Sequence, residues 1–156
     1  MKIIILDIDG VLNCSESKSR CGSFIGIDNK KVKLLSQIVY ETGAKIVLSS
    51  SWRVGWDKNS ELCDSHGVYL NNKLRRSNLF ILDRTKSLSC RGEEIKQWID
   101  SHNVEEWVVL DDEMFRDYKE LGILEHLVKT TFYGESGGLR DEHAKQAVKI
   151  LKGENK

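Results

Sequence analysis

The chain opens on a strand whose end packing alone cannot explain. Ile3-Ile4-Ile5-Leu6 runs without a break into Asp7, Ile8, Asp9 and Gly10. Side chains alternate faces along a strand, so Asp7 and Asp9 share one side while Ile8 faces the other. Ionised carboxylates are costly to bury unpaired. In an open α/β sheet, the carboxyl ends of the strands are where ligands bind. A buried strand that ends in two acids and a glycine therefore asks for a divalent cation and a reaction.

The rest of the chain supplies the other layers of such a fold. Residues 2–7 form the first strand, and the polar stretch 13–27 forms a loop or flap. Asp28 is placed as the N-cap of a helix carrying Val32, Leu34, Leu35, Ile38 and Val39, with Gly43 ending it. Residues 45–48 make a second buried strand that stops at Ser49-Ser50-Ser51. The aromatic and basic segment 52–78 has room for a short helix near 58–65. Residues 79–82 form a third strand. A helix over 93–101 has Ile95, Trp98 and Ile99 on one face.

Residues 107–110 form a fourth strand running into Asp111-Asp112. Phe115, Tyr118 and Leu121 mark a further helical face, 127–132 a fifth strand and 139–151 a closing helix. Alternating strands and helices imply a three-layer, Rossmann-like parallel sheet of about five strands, with helices on both faces. The 156 residues read as one domain, 1–156, able to bury roughly 70% of its unfolded surface.

Composition excludes more than it assigns. Basic and acidic residues balance at 24 each, so any nucleic-acid affinity must come from a local patch. No apolar run approaches the ~20 residues of a membrane span. Asp7 and Asp9 interrupt the first apolar stretch too early for a signal peptide. The expected location is cytoplasmic, with no membrane partner. Cys14, Cys21, Cys63 and Cys90 form no Cys-x-x-Cys pair and read as free thiols. Cys14, Cys21 and Cys63 with His66 are poorly spaced for zinc.

Three strands thus end in functional groups: Asp7/Asp9, Ser49–Ser51 and Asp111/Asp112. Parallel strands lying side by side would bring all three to one edge of the sheet. A basic element could join them from Arg91 or from Lys86.

Asp-x-Asp-Gly-Val-Leu, a strand ending in Ser, a later basic residue and Leu-Asp-Asp resemble the haloacid dehalogenase (HAD) superfamily of phosphohydrolases. The likeness spans residues 3–112. Leu48-Ser49-Ser50-Ser51-Trp52-Arg53, Arg91-Gly92-Glu93-Glu94-Ile95 and Gly138-Leu139 look like a smaller branch associated with RNA-repair proteins.

The resemblance implies roles. Asp7 would attack phosphorus and form an aspartyl-phosphate. Asp9 would protonate the leaving oxygen and later deprotonate the hydrolytic water, so it must hold a proton at the start. Mg²⁺, which prefers oxygen ligands and keeps several waters, would be held by Asp7, Asp111 and Asp112 with the Asp9 backbone carbonyl. In an extended segment only one of the adjacent pair Asp111 and Asp112 would face the metal, and a turn would bring both in. Ser49, with Ser50 and nearby amides, would bind the phosphoryl group, and Arg91 or Lys86 would balance its charge. Read alone, Ser49 is also a strand-end turn residue, and Arg91 and Lys86 are also surface charges.

Family members acting on small metabolites usually carry a cap after the first or the second strand. The two gaps here, 13–27 and 52–78, span about 15 and about 27 residues, short of the ~40 that a core of its own needs. No substantial cap is expected. An open site favours large substrates such as nucleic-acid ends or phosphoproteins. Trp52, Arg53, Lys73, Arg75 and Arg76 are candidate contacts for a nucleic-acid strand, or else parts of a solvated loop beside half-buried tryptophans.

The leading expectation is a Mg²⁺-dependent phosphomonoesterase acting on phosphate ends of nucleic acid. A phosphatase of a small metabolite or of a phosphoprotein is the alternative within the class. A phosphoryl-accepting receiver domain fits less well, because here the second strand ends in serines and a late strand carries the second acid pair. An idle phosphate-binding module would not need all the motifs together.

Overall fold

The first strand, β1 (Lys2–Leu6), is buried on both faces, with Ile3, Ile4, Ile5 and Leu6 inaccessible to solvent. Double burial of an unbroken aliphatic run suits the centre of a parallel sheet. The computed structural model describes residues 1–154 and places β1 there. After a small antiparallel hairpin of β2 (Arg20–Cys21) and β3 (Phe24–Ile25) come α1 (Asn29–Thr42) and β4 (Lys45–Leu48). Then follow α2 (Ser65–Arg75), β5 (Ile81–Arg84), α3 (Arg91–Asp100), β6 (Glu106–Asp111), β7 (Leu127–Lys129) and α4 (Asp141–Leu151).

The main sheet runs β5-β4-β1-β6-β7, and every pairing in it is parallel. Strand order reverses on either side of β1, which puts the switch point of a doubly wound fold at its carboxyl end. Alternate strand residues feed two cores. Ile4, Leu6, Ile46, Leu48, Val108 and Leu110 pack with side chains of α1, α2 and α4. Ile3, Ile5, Val47 and Val109 pack with Ile95, Trp98 and Ile99 of α3 on the other face. The result is the three-layer, Rossmann-like α/β fold.

Neither gap builds a cap. The first holds the β2–β3 hairpin, while Leu70 and Leu74 of α2 in the second join the core beneath the sheet. Among the described residues no helix is long and apolar enough to cross a membrane, and all four cysteines are free thiols.

Local expectations are corrected where polar contacts override apolar pattern. The helix of the second gap lies at Ser65–Arg75 rather than near 58–65, where a single 3-10 turn forms at Ser60–Leu62. Asp64 sets its start by accepting from the His66 and Gly67 amides at 2.8 and 3.1 Å. The third strand is shifted from 79–82 to Ile81–Arg84. Asn78 takes a left-handed turn (φ 58°), and Leu79, whose amide donates a hydrogen bond to the Leu74 carbonyl, is drawn into the core. Asp83 and Arg84 then extend the strand, because Trp98 Nε1 donates to Asp83 at 2.9 Å and Arg84 donates to the Arg53 carbonyl at 2.6 Å.

The helix expected around Phe115, Tyr118 and Leu121 is instead a series of turns. Asp117 is the cause. Its carboxylate accepts from the Gly92 and Glu93 amides at 3.1 and 3.0 Å, capping α3 from a distant part of the chain. A Cβ on Gly92 would lie 2.5 Å from that carboxylate, so only glycine admits the cap. The fifth strand is only Leu127–Lys129. Asp28 does precede α1, but its carboxylate accepts from Ser17 Oγ at 2.6 Å rather than from a helix amide.

Asp117→Ala orphans two α3 amides and should cost about 1 kcal/mol in urea unfolding. Lys119→Ala, exposed on the same turn, should leave the midpoint in place; equal midpoints for the two variants would contradict the capping role.

Candidate active site

Backbone register carries the strand ends to a common line. The Asp7 amide donates to the Leu110 carbonyl at 3.0 Å, and Ser49 to Leu6 at 2.8 Å. Thr85 donates to Leu48 and Thr130 to Asp111, each at 3.0 Å. The ladder thus continues past the ends of β1, β4 and β5 and sets Thr85, Ser49, Asp7 and Asp111 side by side along the carboxyl edge, with Thr130 one residue beyond Lys129, the partner of Asp111.

Asp7, Asp111 and Asp112 converge there, one carboxylate oxygen from each lying within 4.8 Å of the others. Asp111 closes β6 and Asp112 begins the bend after it, so the turn brings both adjacent acids in. Gly10 makes room for the second. It sits at φ +84°, and a Cβ there would lie 2.4 Å from the Asp112 carboxylate. Its carbonyl accepts from Thr130 Oγ1 and its amide donates to Asn13 Oδ1 at 2.9 Å.

Electrostatics show what this arrangement costs. Burial, reinforced by the charge of Asp111, pushes the Asp7 carboxyl well above its ordinary range. Asp111 is pushed up to about 7, chiefly by burial. The Glu113 amide and Arg91 restrain that rise, and Asp112 adds to it. Tyr118 donates weakly to Asp111 Oδ2 at 3.4 Å, and burial drives its phenol far above the usual value. Crowded hard oxygens of this kind are the donor set that Mg²⁺ accepts, and a divalent charge would relieve their repulsion. The residues fit that ion.

Asp9 faces elsewhere. Its carboxylate accepts from Trp52 Nε1 at 3.2 Å and from Asn13 Nδ2 at 2.9 Å, outside the side-chain cluster of the other three. Asn13 is fully buried and also donates to the Gly26 carbonyl at 2.9 Å. It braces the loop that presents both aspartates, a role that no sequence motif signalled.

Ser49 and Ser50 are buried. Ser49 Oγ has no hydrogen-bond partner, while Ser50 Oγ accepts from the Trp52 amide at 3.2 Å. A buried hydroxyl without a partner is uncommon and calls for a ligand. Arg91 begins α3, donates to the Ser49 carbonyl at 2.6 Å and lies 3.7 Å from Asp111. Lys86 is exposed and lines a separate depression with Arg84 and Trp98.

Arg53 is tied inward rather than free for a substrate. It pairs with the buried carboxylate of Glu94, which also lies 3.9 Å from Arg91, and it donates to Thr85 Oγ1 at 3.2 Å. Glu94 escaped the sequence reading as a site residue, although both paired residues sit in the stretches 48–53 and 91–95.

Trp52 walls an open cavity of about 540 Å³ beside Asp9, together with Phe24, His66 and Phe132. Lys73 and Arg76 line a second depression with Arg20 and Tyr69, and Arg75 is exposed but not part of that lining.

Residues 3–144 match a family described as the HAD domain in Swiss Army Knife RNA repair proteins. No curated protein and no solved structure matches the chain.

With divalent cations chelated, the folded chain holds protons on Asp7 and Asp111 that the unfolded chain has already released. The stability that these two groups contribute is therefore fully present below about pH 4 and is lost as pH rises towards 7. Asp111→Asn removes one of the repelling charges and should melt higher than wild type in chelator at pH 7.5, by ~5 °C or more. That gap should close towards pH 4; a gap constant with pH would contradict the electrostatic account.

Proposed function

The chain belongs to this family of HAD domains, a HAD-type phosphohydrolase, and from that premise we propose a Mg²⁺-dependent phosphomonoesterase that works through an aspartyl-phosphate on nucleic-acid phosphate ends. One observation carries the reading. The sheet register gathers Asp7, Asp111 and Asp112 within 4.8 Å at an edge that also holds Arg91 and the unpartnered Ser49 hydroxyl.

Asp7, Asp111 and Asp112, with the Asp9 backbone carbonyl, would hold the Mg²⁺, which supplies positive charge against the phosphoryl oxygens. Ser49 and Arg91 bind those oxygens, Ser49 by its hydroxyl and Arg91 by its guanidinium. An Asp7 carboxylate oxygen forms a bond to phosphorus as the bond to the leaving oxygen breaks. Asp9, held in orientation by Trp52 and Asn13, gives its proton to that oxygen.

The Asp9 carboxylate then takes a proton from water whose oxygen bonds to phosphorus. The acyl phosphate breaks, returning Asp7 as a carboxylate and releasing phosphate. Nucleic acid is favoured as substrate by the uncapped edge, by the aromatic cavity beside Asp9 and by the family's description in RNA repair proteins.

Phosphate release from 3′- or 5′-phosphorylated oligonucleotides, free nucleotides and phosphopeptides tests this directly. Activity should be lost in chelator and restored by Mg²⁺, oligonucleotides should lead, and Asp7→Asn should lose at least a factor of about a thousand. Full activity in Asp7→Asn, or no Mg²⁺-dependent turnover on any of these esters, would overturn the proposal. Asp9→Asn should lose more on an alkyl phosphate than on p-nitrophenyl phosphate, whose leaving group needs no proton.

A further inference from the structure

The cavity beside Asp9 and the basic depression lie along one face of α2. His66, Tyr69, Lys73 and Arg76 follow one another at intervals of three, four and three residues, the spacing that keeps side chains on one side of a helix. His66 lines the cavity beside Asp9, while Tyr69, Lys73 and Arg76 line the depression beyond it. The span from His66 to Arg76 is about 15 Å at 1.5 Å per residue.

Aromatic rings connect the two hollows. Trp52 meets His66 edge-on at 5.7 Å and lies 6.2 Å from Tyr69, and Phe24 meets His66 edge-on at 5.2 Å. The β2–β3 hairpin forms the opposite wall, with Phe24 over the first hollow and Arg20 over the second. Phe24 is 61% exposed, so it adds little to the core.

Asp9 and Asp64 line the first hollow, whereas the lining of the second carries Arg20, Lys73 and Arg76 and no carboxylate. Among the described residues no carboxylate forms an ion pair with Arg20, Lys73 or Arg76. Lys73 Nζ donates to Asn29 Oδ1 at 2.8 Å and lies 5.9 Å from the Tyr69 ring centre. Burial and then the neighbouring Arg76 charge push Lys73 down, and Asp28 opposes them. In a chain whose charges balance overall, a cationic patch next to a cluster of aromatic rings is the surface that a single strand of nucleic acid recognises.

We propose that this face of α2, with the hairpin, is a track for the leaving strand: the nucleoside bearing the scissile phosphate stacks among Phe24, His66 and Trp52, and the following phosphates lie against Arg20, Lys73 and Arg76. The inference rests on the phosphomonoesterase reading of the site. It adds a length requirement, since a mononucleotide fills only the aromatic end.

Steady-state kinetics on terminally phosphorylated RNA and DNA hexanucleotides, the matching mononucleotides, a phosphopeptide and p-nitrophenyl phosphate test it. Wild type should favour a hexanucleotide over its mononucleotide at least tenfold in kcat/KM. Lys73→Ala/Arg76→Ala should cost at least tenfold on the hexanucleotide relative to p-nitrophenyl phosphate, through KM rather than kcat. Its salt dependence should become shallower by about 1.4 in log–log slope, at about 0.7 for each lost single-strand contact. Phe24→Ala should cost about tenfold, on mononucleotide and hexanucleotide alike.

Equal use of both lengths, equal losses on every substrate, or a phosphopeptide used best would overturn the track while leaving the phosphatase intact. If no ester is turned over, the phosphatase reading fails. Hexanucleotide binding by fluorescence anisotropy, to Asp7→Asn with and without the paired substitution, then decides the track alone. At least tenfold tighter binding without the paired substitution sustains it, and equal binding overturns it.

Discussion

Three carboxylates, from Asp7, Asp111 and Asp112, are held within 4.8 Å of one another where burial makes their repulsion expensive. Left to themselves they would separate, so the surrounding structure has to impose their approach. The imposition begins in the sheet, whose solvent-free central strand fixes the register that sets Asp7 beside Asp111. It continues in Gly10, where the absence of a side chain is what admits Asp112. Thr130 and Asn13 then pin the loop around that glycine. Arg91 is the nearest opposing charge, and its own position depends on Glu94 beside it and on Asp117 capping its helix. Such strain persists only where neighbouring structure over-determines it, and here the supports come from the loop after β1, from α3 and from the end of β7.

The two aspartates that open the chain are divided by this arrangement. Asp7 belongs to the crowded, charged side of the edge. Asp9 is turned to Trp52 and Asn13 and borders the aromatic cavity. Under the proposed mechanism, a phosphoester seated between them would meet Arg91 and the bound cation on one side and π-faces on the other, so the loop after β1 would separate phosphoryl recognition from leaving-group recognition. The absence of a cap in both gaps leaves that second side open along α2, towards the cations that the composition conceals.

Much of this was legible because apolar runs end abruptly in chemistry at Asp7, Ser49 and Asp111. Those runs are also the strands, so fold and site were announced by the same residues. What escaped the sequence was fixed by polar contacts between distant parts of the chain. Asp83 and Arg84 lie in a strand because Trp98 and the Arg53 carbonyl satisfy them, and no hydrophobic pattern contains that information. The segment around Tyr118 has helical spacing, yet Asp117 is drawn out to another helix. Asn13, Glu94 and Thr130 brace the site through contacts that only the folded chain creates. Arg91 and Lys86 were alternatives in sequence, and helix α3 brings the first of them to the acids.

In the proposed mechanism an Asp7 carboxylate oxygen is the point of attack on phosphorus. Acid quenching of the enzyme during turnover of a phosphorylated oligonucleotide, followed by borohydride reduction and peptide mass mapping, reads that point directly. Borohydride reduces an acyl phosphate to an alcohol and leaves free carboxylates untouched. The account predicts homoserine in place of Asp7, formed only when substrate is present. Conversion at another acid, or none while phosphate is being released, would contradict it.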